Sequence, residues 1–214
     1  MTLKIEITSD FICPWCLVAE TRLNKAIKRL NSDVEIEKIW HPYELNPTMP
    51  EAGMDRQVYR STKFGSWEYS QQLDRHTIEA TKNDGIDFRY DLMEFTPNTF
   101  KAHRLTWFAQ QQGKGTEMAE RIFQAYFIQG QNISEVETLV GLAGEVGIDT
   151  ETAKRFLLSD EGVEEVKNLE HQAVANGTRG VPSIRIGERI RSGAQPVEAF
   201  IIALKKTIHE LAEV

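Results

Sequence analysis

Strand-like patterns occur only near the two ends of this 214-residue chain. From Leu3 to Thr8, apolar Leu3, Ile5 and Ile7 alternate with Lys4, Glu6 and Thr8, the period of a half-buried strand. Val34 to Trp40 gives a second strand. Ser183 to Gly187 and Arg189 to Arg191 give two more, around a Gly187-Glu188 dipeptide suited to a tight type II′ hairpin. From about Glu51 to Asn176 the periodicity is helical instead. Pro97 is read just inside a helix that stops near Gly113. Val136, Leu139, Val140 and Ala143 follow the i, i+3, i+4, i+7 spacing, and another helix runs from about Asp160 to Gly177. Neither end has enough apolar surface to fold alone, and the middle offers no strands to complete a sheet. The ends must therefore meet in one sheet, giving an α/β protein with a large all-helical insertion. Its discontinuous part is residues 1–50 and 177–214. The insertion is 51–176, including the helix that leads back to the sheet, and is expected to cap the active end.

The first two strands are joined by a helix, which begins at Pro14 and continues through Leu23, Ala26, Ile27 and Leu30 to about Asn31. Such a βαβ unit makes the strands parallel with a right-handed crossover. A final helix carries Val197, Phe200, Ile201, Leu204, Ile208 and Leu211 on one stripe. The element order is βαβ, then helices, then ββα.

Both cysteines of the chain fall at the first strand-to-helix junction, as Cys13-Pro14-Trp15-Cys16. A thiol at a helix N-terminus faces unpaired N–H groups and the positive end of the dipole, which favours its thiolate. Spacing of i and i+3 puts both sulfurs on one face, where they can close and reopen a disulfide. Tetrahedral zinc needs four ligands, and His41, His76, His103, His171 and His209 show no second cluster at ligand spacing, so no metal is expected. The arrangement reads as a redox pair, with Cys13 exposed at the helix start and Cys16 sheltered behind it.

A net charge of −7 with mixed signs gives no basic stripe for nucleic acid. No apolar run approaches the roughly 18 residues that cross a bilayer, and Met1-Thr2-Leu3-Lys4 opens directly into a strand, so neither membrane nor export is expected. The expected location is the cytoplasm, where a lone cysteine pair is catalytic or redox-sensing more often than structural.

The cysteine motif, the element order and Val181-Pro182 before the third strand resemble the thioredoxin fold. Asp10-Phe11-Ile12-Cys13-Pro14-Trp15-Cys16, Tyr43-Glu44-Leu45-Asn46-Pro47, Asn98 to Leu105, Gly180-Val181-Pro182 and Ser192 to Pro196 together resemble, more narrowly, the DsbA-like family and its FrnE-type branch. That resemblance implies disulfide exchange with protein or peptide substrates, with Cys13 attacking and Cys16 resolving. It also implies a cis-proline at Pro182 facing the sulfurs and a Val181 backbone that pairs with extended substrate. Some FrnE-type proteins carry a second cysteine pair, absent here. Cys13 and Cys16 must then be recycled by an external electron donor or acceptor. No tightly bound cofactor is implied beyond the redox-active disulfide, with glutathione as a candidate external thiol. Two other readings share this architecture: a glutathione-dependent isomerase or transferase of the kappa-like group, and a non-catalytic peptide-binding module. The first is disfavoured because that group resembles a serine at the first motif position.

Other residues carry weaker signals. Trp15 offers either an apolar contact surface or packing. Asp10 can oppose the Cys13 thiolate, but is expected to face solvent or cap the turn. His103, Arg104 and Trp107 lie on one helix and form either a wall of the site or ordinary packing; packing is the favoured reading, as it is for His41 and Tyr43.

Overall fold

A computed structural model describes residues 2–212; Met1, placed above at the head of the first strand, and the last two residues lie outside it. Strand β1 (Thr2–Ser9) leads through Cys13 into helix α1 (Pro14–Leu30), which returns to strand β2 (Glu35–Pro42). Pro14 opens α1 at the position where its missing N–H costs nothing. Asn31 closes the helix in the left-handed region at φ 44°. At the far end of the chain, strands β5 (Ser183–Ile186) and β6 (Arg189–Ser192) precede the last helix (Val197–Ala212).

The four strands form one sheet in the order β2-β1-β5-β6. β1 pairs parallel with β2, from Thr2 opposite Glu35 to Ser9 opposite Pro42. It pairs antiparallel with β5, Ile5 opposite Ile186 and Thr8 opposite Ser183. Leu3, Ile5 and Ile7 are buried as their alternation requires. With Ile184 and Ile186 they join a core that includes Leu23 and Ala26 of α1 and Phe200 and Leu204 of the last helix. This is the thioredoxin arrangement. The β5–β6 turn needs glycine for two reasons: Gly187 sits at φ 57°, and a Cβ there would lie 2.7 Å from Thr207 Cγ2. Gly187 has positive φ and Glu188 does not, in keeping with a type II′ turn.

The intervening chain departs from a purely helical pattern at one point. Strands β3 (Met54–Asp55) and β4 (Phe95–Thr96) form a two-residue antiparallel ladder, too short for any alternation to show in sequence. β3 runs straight into helix α2 (Arg56–Phe64), where Asp55 caps the start by accepting from the Val58 N–H at 2.8 Å. Helix α3 (Trp67–Ala80) follows.

After β4 come helices α4 (Phe100–Gln110), α5 (Gly115–Phe127), α6 (Val136–Glu145), α7 (Thr150–Leu158) and α8 (Val163–Ala175), with the last helix as α9. α4 starts later than Pro97 suggests. Asn98 holds the preceding turn instead: its Oδ1 accepts from Phe100 N–H and its own N–H donates to Ser134 Oγ. α8 likewise starts at Val163, not Asp160, because Gly162 at φ 75° redirects the chain just before it. α4, α5 and α8 pack against β2, the sheet edge opposite β6.

Candidate active site

Cys13 is the N-cap of α1, with extended φ −91° and ψ 109°, and no side chain caps the helix. The Cys16 and Trp15 backbone amides of the first turn act on its sulfur. The Cys13 N–H donates to Asp10 O at 3.1 Å, which fixes the tight turn between β1 and α1. Cys13 Sγ lies 3.8 Å from the Val181 carbonyl oxygen, and the Val181–Pro182 bond is cis. Pro182 O accepts from Gly193 N–H at 2.8 Å, tying this loop to the end of β6.

Both thiols are free and both are buried, Cys13 at 6% exposure and Cys16 at 3%. This corrects the expectation of an exposed Cys13. The helix start does face outward, but the Val181-Pro182 loop lies over it, a contact 168 residues away in sequence. Electrostatics still separates the two sulfurs. The Cys16 thiol donates to Cys13, and the Cys16 and Trp15 backbone amides add to this. Together they hold Cys13 below its ordinary value against burial and the Asp10 charge. Cys16 is pushed well above its ordinary value by burial and by its neighbour Cys13.

Asp10 neither faces solvent nor caps the helix through its side chain. It is fully buried, accepts from Leu45 N–H at 2.7 Å and lies 3.4 Å from His103 Nε2. The Leu45 amide in the loop after β2 needs an acceptor, and Asp10 supplies it. Glu44 and Glu170 stand beside this pair. Burial and the Glu170 charge raise Glu44 to about 7, and burial raises Glu170 in turn.

The remaining sequence candidates fall in different places. Arg104 donates to the carbonyls of Phe156, Ser159 and Glu161 at 3.0, 2.7 and 2.6 Å, closing the end of α7. Trp107 stacks near Phe156 with ring centroids 6.2 Å apart. His41 is half-buried 3.9 Å from Glu6 and is lowered by burial; it lines a groove with Glu6, Thr8 and Arg185 rather than the sulfurs. Pro14 and Trp15 do border the site. They line, with Cys13 itself, a cavity of about 270 Å³ that also reaches Asn46, Tyr59, Arg60, Lys63 and His76. The sequence reading named Asn46 only within the family resemblance and His76 only against a metal site, and passed over Tyr59, Arg60 and Lys63. A signal existed: Arg56, Arg60 and Lys63 follow the i, i+4, i+7 spacing, which puts three cations on one face of α2.

Among the described residues no group of three or more His, Cys, Asp or Glu is placed to hold a metal, and no helix is long and apolar enough to cross a membrane. The sequence matches the DSBA-like thioredoxin domain family over residues 4–205. The chain belongs to that family of thiol–disulfide oxidoreductases, which work through a redox-active cysteine pair. It is 32% identical over 202 residues to the protein YwbO of Bacillus subtilis, covering 94% of each chain. Its fold is similar to that of a probable DsbA oxidoreductase from Streptomyces coelicolor, with a TM-score of 0.88 at 27% identity over 97% of this chain and 91% of that one. It also shares the fold of a cytosolic disulfide reductase, DsbM from Pseudomonas aeruginosa, solved with GSH, at TM-score 0.64 and 16% identity over 99% and 98% of the two chains.

Proposed function

We propose that Cys13 and Cys16 exchange disulfides with protein or peptide substrates in the cytoplasm, in the manner of FrnE-type DsbA relatives. The carrying observation is the opposite displacement of the two thiols at one helix start: Cys13 is held low by the Cys16 donor and the first-turn amides, and Cys16 is held high by burial. Cys13 is then the thiol that gives up its proton more readily, and the entering nucleophile. It attacks one sulfur of a substrate disulfide, forms a mixed disulfide and expels the other sulfur as thiolate. Cys16 then loses its proton and attacks Cys13 Sγ. The bound substrate sulfur leaves and takes up that proton, and two electrons have passed from the enzyme dithiol to the substrate. In the opposite direction a substrate dithiol is oxidised. An external thiol such as glutathione, or another donor or acceptor, resets the pair. The Val181 backbone lines the approach for extended substrate beside Pro182, residues 1–50 and 177–214 carry the chemistry, and 51–176 shape its entrance.

The test is iodoacetamide labelling against pH, beside insulin reduction. Cys13 should titrate below the free-thiol value of about 8.5, and Cys16→Ala, which removes the strongest stabilising donor, should move that titration upward. Insulin reduction should vanish in Cys13→Ser. A Cys13 that titrates like a free thiol, or equal reduction by wild type and Cys13→Ser, defeats the reading.

A further inference from the structure

The cavity beside Cys13 has a character of its own. Its apolar wall is Ile12, Pro14, Trp15, Leu45, Phe64 and Leu73. At about 270 Å³ it is near the lower end of small-molecule sites, roughly 300–1,000 Å³, and takes a compact group rather than a folded partner.

Its polar side is cationic, in a chain whose net charge is −7. Arg56 and Arg60 share a single carboxylate, Asp74, at 2.7 and 2.9 Å. Lys63 touches only neutral acceptors, Asn46 Oδ1 and the Tyr59 hydroxyl, both at 2.8 Å, and forms no ion pair among the described residues. Burial holds the nearby Tyr126 phenol well above its ordinary value, so it stays neutral. The cavity wall therefore carries two cations, Arg60 and Lys63, against one carboxylate, Asp74, which the buried Arg56 behind the wall also engages. A second observation bears on the same spot. Asn46 Oδ1 accepts from Lys63 and from the Tyr59 hydroxyl, the latter at 2.5 Å, and the Tyr59 oxygen accepts from Lys63 in turn. The ammonium is held in place at the cavity by groups that do not neutralise it.

We propose that this cavity is a recognition subsite for thiols and disulfides that carry a carboxylate, with the Lys63 ammonium taking the carboxylate and the apolar wall taking the body of the molecule. A carboxylate gives the Lys63 ammonium the anionic partner it otherwise lacks. A neutral thiol leaves that charge unpaired, and a cationic one meets the surplus positive charge. The proposal rests on Cys13 being the attacking thiol, since the subsite places the acidic group beside that sulfur.

Two disulfides of similar size test it: dithiobis(nitrobenzoate), which carries carboxylates, and the uncharged dithiodipyridine. The readout is the ratio of their second-order rate constants with reduced protein. Lys63 is exposed near the end of α2, so its replacement leaves the fold intact. Lys63→Gln should lower the ratio by about three- to fivefold, Lys63→Glu by more, and added salt should shrink both effects. A ratio unchanged in Lys63→Glu overturns the subsite. Calorimetry on Cys13→Ser protein reads the subsite without exchange chemistry: nitrobenzoate should bind at least about threefold tighter than nitrobenzamide, and equal or absent binding overturns it. Unreactive Cys13 with intact nitrobenzoate preference would instead defeat the exchange reading alone. Cysteine peptides with a neighbouring glutamate or glutamine identify the source. The same charge preference among peptides assigns the carboxylate to a polypeptide, and its restriction to small disulfides assigns it to a free acidic thiol.

Discussion

Two buried ionic clusters stand on either side of the redox helix, and they are unbalanced in opposite senses. Behind α1, one turn past Cys16, Glu20 lies 2.5 Å from Lys38, which also contacts Asn24 and reaches Glu120 at 3.5 Å; here two carboxylates share one cation. Across the cavity, in the insertion, Arg56 and Arg60 share Asp74; there two cations share one carboxylate. The two clusters resolve their surplus differently. A carboxyl group can discharge itself near neutral pH by holding a proton, and burial pushes Glu20 to about 7, with one oxygen left without a partner. A guanidinium keeps its charge under all such conditions. The surplus behind α1 is therefore absorbed as a bound proton, and the surplus in the insertion persists as a positive field at the cavity wall.

The contrast predicts a graded series. Asp74→Ala should be the most damaging change, because it strands the buried Arg56 and the half-buried Arg60 guanidiniums, neither of which can neutralise; a loss of about 3–5 kcal/mol is expected from urea unfolding. A loss under 1 kcal/mol would mean that water already screens the pair and that the contrast is false.

Next comes the pH response of Glu20. The folded protein holds this proton up to about pH 7, whereas an unfolded carboxyl releases it near its ordinary 4.5. Between those values the folded state binds more protons, so the contribution falls as pH rises from about 4.5 to 7 and is level above. Its span is about 3 kcal/mol. Glu20→Gln should flatten that part of the stability–pH curve, and an unaltered curve would contradict the assignment. Arg60→Met leaves Arg56 and Asp74 as a balanced pair and should cost only about 1–2 kcal/mol in the same urea assay. Glu120→Gln should have the smallest effect, below about 1 kcal/mol, since Glu120 is partly exposed. Its sharper signature is direction: losing that neighbouring charge should move the Glu20 titration toward acid, as followed by carboxyl NMR.

Sequence reading succeeded where the signal was local or periodic. The alternation at Leu3, Ile5 and Ile7 marked β1, the cysteine spacing placed both sulfurs at one helix start, and the hairpin at Gly187 followed from two residues. The cis bond at Val181-Pro182 came from family resemblance, not from spacing. What was missed depends on contacts across the chain. Cys13 looks exposed until Val181 is laid over it. Asp10 looks like a surface acid until the Leu45 amide and His103 converge on it. Glu20 and Lys38 are 18 residues apart on different elements, and nothing in a helical or strand period pairs them. The β3–β4 ladder is too short to produce a period at all. In the candidate site the position of Cys13 was legible, whereas the cavity beside it was not, because α2, α3 and the loop after β2 build it jointly.

The sheet order also sets a schedule. β1 lies in the interior of the sheet, yet one neighbour, β2, follows within a few dozen residues and the other, β5, is made only after the whole helical insertion. As the chain emerges from the ribosome, β1 and β2 can pair early while the opposite edge of β1 stays bare, with unpaired backbone groups and Ile5 and Ile7 short of their β5 partners. The same delay leaves Cys13 uncovered, because Val181 arrives with β5. A nascent chain stalled before that point presents the Cys13 sulfur openly beside an unfinished sheet edge. Such a chain is both the form most exposed to adventitious oxidation and the one most prone to pair with a second copy of itself.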